Sequence, residues 1–183
     1  MALDRDPADA RPWIERASPT HPSLIDTGYR LADLYNVVNV PTSVWIDEEG
    51  RIVRPNDVLY GTDTFRSIHG IDHEAGTAAV RAWVRGETAI PDTGTLRELQ
   101  SLPTADDQLA RAEFALARRL LDAGRAKAAE RHFVRAGELA PHDFTIRRGS
   151  LPMRGIDSMG PVFFEMAVDW VGRGNPYYRP LPL

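Results

Sequence analysis

Residues 34–52 read LYNVVNVPTSVWIDEEGRI and decide the fold of this chain. The segment TSVWID, residues 42–47, is rich in β-branched and aromatic residues, which favour an extended strand. The EEG that follows supplies a tight turn, and RIVR, residues 51–54, resumes the extended pattern. The sequence therefore predicts a β-hairpin over residues 42–54, and the other elements are placed relative to it.

Helical periodicity flanks this hairpin on both sides. Before it, a helix is predicted to end near Ala17. Its start is predicted nearer Asp9 than Asp6, because Pro12 is tolerated only in the first turn of a helix. After it, residues 75–85 carry Ala, Val and Trp side chains on one helical face and end at a glycine, a typical C-cap. The first half of the chain thus alternates helices and strands.

The second half is predicted to be helical. Residues 109–123 and 127–139 form a helical hairpin, and residues 161–171 form a last helix. Between them, residues 145–160 contain three glycines and a proline, which predicts a loop, and residues 176–183 are a Pro-rich tail.

A change in composition predicts the domain boundary. Residues 89–104 mix Gly, Pro, Thr and Asp with few apolar side chains, which indicates a linker. The predicted organisation is an α/β domain over residues 1–88, this linker, and a helical extension over residues 105–183. A length of 183 residues allows two small domains of this kind.

Composition excludes several classes of function. The net charge is −4, so no basic field draws nucleic acid or an anionic membrane. No apolar run reaches the length of a membrane span, and the first residues do not form a secretory signal, so we expect a cytoplasmic chain. The sequence contains no cysteine, which removes disulfides, thiolate metal sites and thiol nucleophiles from the chain itself.

The stretch 34–52 resembles the second half of a thioredoxin-like domain of the TlpA/ResA and peroxiredoxin-related (AhpC-TSA) kind. Upstream, ALD at residues 2–4 and PWIERASPTHPSLID at residues 12–26 also resemble that family. The resemblance implies a cis peptide bond at Pro41 and a substrate-binding loop of Val40, Pro41 and Thr42, with Val40 facing an extended substrate. The alternative from the sequence is a trans proline that opens a strand.

The family's reactive Cys-x-x-Cys motif lies upstream of the segment that matches residues 2–4. The resemblance therefore implies a partial thioredoxin-like fold that lacks its first strand and first helix, with the strand over residues 44–46 left unpaired on one side. We expect a truncated product whose missing active-site residue is a cysteine or a selenocysteine. An unpaired apolar edge is also a surface that another chain can pair with.

The helical extension resembles one tetratricopeptide repeat. The matching small and large positions are Leu116, Ala117, Leu120, Gly124, Ala129, Phe133, Ala136 and Pro141. A single repeat cannot bury both of its faces. We expect the hairpin to pack on the final helix, through Phe163, Phe164, Ala167, Val168 and Val171, or against another protein.

Other chemical patterns favour structural roles. His69 and His73 have the i, i+4 spacing of a zinc pair, but Gly70 lies between them and no further ligand is evident. No metal or cofactor is therefore predicted, and all five histidines are expected to be structural or solvated. The four tryptophans occupy apolar periodic positions, which predicts core packing, and they are Trp13, Trp45, Trp83 and Trp170.

Two functions follow as alternatives. The family resemblance implies thiol-disulfide oxidoreductase or peroxidase chemistry, but a chain without a thiolate cannot perform it, so this chain is predicted to be inactive by itself. The alternative is a noncatalytic protein-interaction module that uses the helical hairpin and the Val40–Pro41 loop. A nonfunctional fragment is a third reading.

Overall fold

The computed structural model describes residues 1–63, 66–100, 102–179 and 181. Over these residues the fold is mixed α/β, with a two-stranded antiparallel sheet among ten helices. In chain order the elements are α1 Pro7–Ala17, α2 Arg30–Leu34, β1 Ser43–Ile46, β2 Ile52–Asp57, α3 Arg66–His69, α4 His73–Val84, α5 Thr93–Leu99, α6 Ala105–Asp122, α7 Ala126–Leu139, α8 Phe144–Arg147, α9 Ser150–Met153 and α10 Pro161–Gly172.

The chain divides into two compact units, residues 1–37 and residues 38–183. The second unit therefore contains both the predicted hairpin and the helical extension. The predicted division into residues 1–88, 89–104 and 105–183 stays a prediction, because a domain is defined by independent folding and not by compactness alone.

In the first unit, Ala2 forms an isolated parallel bridge with Ile25. The predicted start of α1 near Asp9 is wrong. The Asp6 carboxylate accepts a hydrogen bond from the Ala8 N–H at 2.9 Å, and Pro7 occupies the first helical position. This cap and this proline fix an earlier start, with Pro12 inside the helix.

The predicted hairpin is confirmed. β1 and β2 pair antiparallel, and Gly50 occupies the turn with φ of 78°. The Asp47 carboxylate tightens this turn by accepting hydrogen bonds from the Glu49 and Arg51 N–H groups at 3.1 and 2.8 Å. Within the described residues the sheet has these two strands, so β1 has one strand neighbour.

The helices after the hairpin differ from the prediction in two respects. Val84 at the end of α4 is 72% exposed, so it is not part of a buried face. The predicted linker contains α5, because the Asp92 carboxylate caps it by accepting from the Gly94 and Thr95 N–H groups at 2.8 and 3.2 Å. Capping thus converts a segment of low hydrophobicity into a helix.

The helical hairpin of α6 and α7 is confirmed. α6 begins before the predicted residue 109 because Thr104 and Asp107 form a reciprocal capping box. Ala117, Ala129 and Ala136 are at most 1% exposed, which lets the two helices approach closely. Between them the Phe114 and Phe133 rings meet edge-to-face with centroids 5.7 Å apart.

The segment beyond the hairpin is more ordered than predicted, since residues 145–160 contain most of α8 and all of α9. Phe163 on α10 packs with Phe144 and Leu151 in a buried cluster. The expectation that Phe164, Val168 and Val171 of α10 pack on the helical hairpin is wrong, because these side chains are 51%, 70% and 52% exposed. None of the described helices is both long enough and apolar enough to cross a bilayer.

Candidate functional site

The predicted substrate-binding loop of Val40, Pro41 and Thr42 follows Val38, whose backbone is hydrogen-bonded to the helical extension. The Val38 carbonyl accepts hydrogen bonds from the Phe144 and Thr145 N–H groups at 2.7 and 3.3 Å. Asp143, which is 3% exposed, caps the same turn by accepting from the Thr145 and Ile146 N–H groups at 2.9 and 3.1 Å. Burial raises the pKa of Asp143 to about 7. The chain therefore enters the loop from a buried, hydrogen-bonded anchor.

The Val40–Pro41 peptide bond is cis, as the resemblance implied. Both backbone polar groups of Val40 are engaged within the chain. Its N–H donates to Asn39 Oδ1 at 2.9 Å, and its carbonyl accepts from the Tyr178 hydroxyl at 3.0 Å. The Thr42 hydroxyl donates to the Asp57 carbonyl at 3.2 Å and so joins the loop to the end of β2. The structure thus brings the three predicted site residues together with a segment of the tail.

That tail segment is attached at two further points. The Asn39 side-chain amide donates to the Tyr177 carbonyl at 2.9 Å. Further along, the Leu181 N–H donates to Asp57 Oδ1 at 2.8 Å, and the Leu181 carbonyl accepts from Arg54 Nη2 at 3.1 Å. We refer to Tyr177–Leu181 on these partners as the docked tail; of its residues, Tyr177, Tyr178, Arg179 and Leu181 are described.

The partners of the docked tail at β2 are a buried ion pair. Arg54 Nε lies 2.6 Å from Asp57 Oδ2, and the two side chains are 14% and 8% exposed. The other Asp57 oxygen also accepts from the Val58 N–H at 2.7 Å. Since a buried charge needs its full set of hydrogen bonds, the Leu181 backbone completes the environment of this pair.

Aromatic rings surround the Tyr178 side chain. Its ring lies edge-to-face against Tyr177, Tyr60 and His69, with centroids 4.7, 5.8 and 6.0 Å apart. Tyr60 and His69 stack on each other at 4.1 Å. Burial raises the pKa of Tyr178, so its hydroxyl stays protonated at neutral pH and keeps its donor hydrogen.

This arrangement is suited to binding a peptide segment. It offers a carbonyl, an amide, a carboxylate and a guanidinium, each of which contacts a peptide group or a hydroxyl of the tail. Sequence reasoning found Val40, Pro41 and Thr42 but missed Arg54, Asp57 and Tyr178. The signal that was available is the pair of tyrosines in an otherwise Pro-rich tail.

The two histidines with zinc-like spacing lie on different helices, α3 and α4, and Gly70 between them has φ of 72°. His69 Nδ1 accepts from the Ile71 N–H at 3.0 Å. His73 instead groups with Asp63 and Asp72, whose candidate ligand atoms lie within 4.8 Å of one another. Arg66 contacts both carboxylates, at 3.3 and 3.0 Å, so a cation would compete with its guanidinium.

The remaining histidines and tryptophans have varied environments. His132 Nδ1 lies 2.5 Å from Glu113 Oε2 across the helical hairpin, and His142 Nε2 lies 3.4 Å from Asp107 Oδ1. The prediction of core packing is wrong for Trp13, which is 67% exposed and has the Arg16 guanidinium over its ring. The other three tryptophans are less exposed, with Trp45 and Trp83 stacked at 5.2 Å and Trp170 packed against the C-terminal core cluster.

No protein-family model, curated protein or solved structure matches this chain. The class that the described residues define is a mixed α/β protein with a two-stranded sheet and a helical hairpin. The thioredoxin-like and tetratricopeptide resemblances remain predictions from the sequence.

Proposed function

We propose that this chain is a noncatalytic protein-binding module with a thioredoxin-like hairpin, and that it holds an extended peptide segment on the Val40–Pro41–Thr42 loop. One observation carries the proposal: the loop already binds a segment of the chain's own tail. Tyr178 binds the Val40 carbonyl although the two residues are 138 positions apart in the chain.

The contacts favour recognition of the peptide backbone. The Asn39 amide binds a backbone carbonyl of the tail, and Asp57 and Arg54 bind a backbone N–H and a backbone carbonyl. Backbone contacts of this type tolerate different side chains, whereas pockets between them select particular ones. The loop is thus suited to binding segments from more than one source.

The helical extension supports this function by positioning both halves of the site. The α8 backbone anchors Val38, just before the loop. The tail leaves α10, and Tyr177 packs against the rings of Phe144 and Phe163 at centroid distances of 4.5 and 6.3 Å. This packing sets the path by which the tail reaches the loop.

Thiol-disulfide chemistry is not proposed for this chain by itself. Exchange requires a thiolate as the attacking group, and the sequence contains no cysteine. We therefore expect no reduction of insulin disulfides by the purified chain in the presence of dithiothreitol beyond the rate with dithiothreitol alone. A faster rate would contradict the noncatalytic assignment.

A selection from random peptides tests the binding function. Displayed nine-residue peptides are selected on the full chain carrying Tyr178→Phe, which weakens the docked tail without removing its ring. Recovered peptides are then measured on that chain and on one that also carries Asn39→Asp. The aspartate keeps the acceptor for the Val40 N–H but loses the amide donor, so peptide binding is expected to weaken several-fold.

The matched control is Tyr29→Phe, which removes a phenol hydroxyl in the other compact unit. Peptides that bind the control, the Tyr178→Phe chain and the double variant with equal affinity would contradict the proposal. Failure to recover any peptide on the Tyr178→Phe chain would contradict it as well.

A further inference from the structure

The docked tail contacts the loop through side chains as well as through its backbone, and these contacts define what the site selects. Tyr178 inserts its ring among Tyr60, His69 and Tyr177 and directs its hydroxyl to the Val40 carbonyl. Three residues later, the Leu181 N–H donates to Asp57 and the Leu181 carbonyl accepts from Arg54. Leu181 also lines a cavity together with the apolar residues Trp45, Leu59 and Ile71. The two anchor points are therefore fixed at a spacing of three residues.

We propose that this site is selective for extended segments of the pattern Tyr-x-x-apolar, and that the chain's own tail occupies it until a partner segment of the same pattern displaces the tail. The inference rests on the proposed function, and it adds the kind of partner and the competition by the tail. A segment from another protein would place its tyrosine against the rings of Tyr60 and His69 and its apolar residue beside Asp57.

The tyrosine anchor is specific because the Val40 carbonyl accepts the hydroxyl hydrogen of the tyrosine. Tyr60 and His69 supply ring surface that a phenylalanine would contact equally well. The carbonyl, however, distinguishes the two, because only tyrosine offers a hydroxyl hydrogen at the tip of the ring. Loss of that hydrogen bond predicts about a 2- to 10-fold weaker binding of a phenylalanine segment.

The second anchor favours an occupied site. Asp57 is 6% exposed, and its Oδ1 accepts from Leu181 while Oδ2 binds Arg54. With the tail in place this carboxylate has little contact with water, and when the tail leaves it loses a donor while the Arg54 guanidinium loses an acceptor. An empty site is therefore disfavoured, and the tail is expected to exchange with a competing segment instead of leaving the site open.

The tail belongs to the same chain as the loop, and this tether determines how strongly the tail competes with a free peptide. A tethered segment acts at an effective concentration that is typically millimolar for a short flexible connection. A free peptide of the same sequence must therefore compete against a concentrated internal ligand. Weakening the internal ligand by one hydrogen bond is therefore expected to strengthen the apparent binding of the external peptide.

The test uses the full chain and two synthetic fluorescent peptides, NPYYRPLPL from residues 175–183 and its variant NPYFRPLPL, measured by fluorescence anisotropy. The Tyr178→Phe chain is expected to bind the first peptide about 2- to 10-fold more tightly than wild type does, because its own tail competes less. On that chain, the first peptide is expected to bind tighter than the second by a similar factor. The Tyr29→Phe chain is expected to behave as wild type.

Equal affinity of the two peptides, or no binding of either to the Tyr178→Phe chain, would overturn the Tyr-x-x-apolar selectivity. These results are distinct from failure of the proposed function. If random peptides without this pattern bind, and their binding still depends on Asn39, the loop remains a binding site but the Tyr-x-x-apolar selectivity is wrong. Loss of the Asn39 dependence would instead remove the binding function.

Discussion

At the residue scale, Asp143 has a buried carboxyl group that serves a local purpose. It is 3% exposed, caps α8 with hydrogen bonds to Thr145 and Ile146, and so positions the turn that anchors Val38. Burial raises its pKa from the ordinary 3.8 to about 7. Because the folded chain binds this proton more tightly than the unfolded chain does, protonation of Asp143 stabilises the fold.

Asp143→Asn tests this effect. Asn keeps the capping oxygen but does not titrate. Wild type is expected to lose unfolding free energy relative to the variant as pH rises from about 4 to about 7. Above about pH 7 the difference in unfolding free energy between the two proteins is expected to stay constant. The slope cannot exceed about 1.4 kcal/mol per pH unit for one group. Urea unfolding of both proteins at several pH values measures it.

Comparing the unfolding free energies of wild type and Asp143→Asn separates the titration of Asp143 from that of its neighbour His142. Burial lowers the pKa of His142 below 6.5, so its contribution to stability is lost as pH falls through that range, which is the opposite direction. His142 is present in both proteins and cancels in the difference. A difference that does not change with pH would show that Asp143 titrates in its ordinary range.

At the element scale, the helical hairpin depends on small residues. Ala117 on α6 is 0% exposed and faces α7, where Ala129 and Ala136 are 1% and 0% exposed. The Phe114 and Phe133 rings fill the remaining space between the helices. Close approach at the alanines and filling by the phenylalanines together hold the two helices antiparallel.

Ala117→Leu is expected to destabilise the chain by about 1–3 kcal/mol, because the added carbons have no space between the helices. Ala115→Leu is the matched control, since Ala115 lies on the exposed side of the same helix, and it is expected to change stability by less than about 0.5 kcal/mol. Urea unfolding measures both. Equal effects of the two substitutions would contradict the packing described for α6 and α7.

The same elements show how far the sequence predicts the structure. The hairpin of β1 and β2 and the helices α6, α7 and α10 follow from local periodicity and turn residues, so they were predictable. The exposed side of α10 was not, because Phe163 and Phe164 are adjacent and equally apolar, and only the position of α8 and α9 decides which one is buried.

The candidate site was predictable only in part, for a related reason. Val40, Pro41 and Thr42 lie in one recognisable stretch, so the resemblance located them. Their partners Tyr177 and Tyr178 are 138 positions away from Asn39 and Val40, and no local pattern encodes a contact at that separation. Asp57 and Arg54 were likewise indistinguishable from ordinary exposed charges on a hairpin.

At the scale of the whole molecule, the second compact unit runs from Val38 to the tail and is closed by contacts between its two ends. The beginning of the unit is held by α8 through Val38, and its end is held by β2 through Leu181. The loop therefore lies where the two ends of this unit meet. Binding of a partner segment there is expected to release the tail without disturbing the α6 and α7 hairpin.

Amide hydrogen exchange of the tail, followed by NMR on the full wild-type chain, tests the central claim most directly. The Leu181 N–H donates to the buried Asp57 carboxylate, whereas Arg179 is exposed and serves as the internal reference. Leu181 is expected to exchange at least about ten-fold more slowly than an unstructured amide, and the tail-sequence peptide added in excess is expected to remove this protection. Exchange of Leu181 at the rate of an unstructured peptide, or protection that excess peptide leaves unchanged, would contradict this claim.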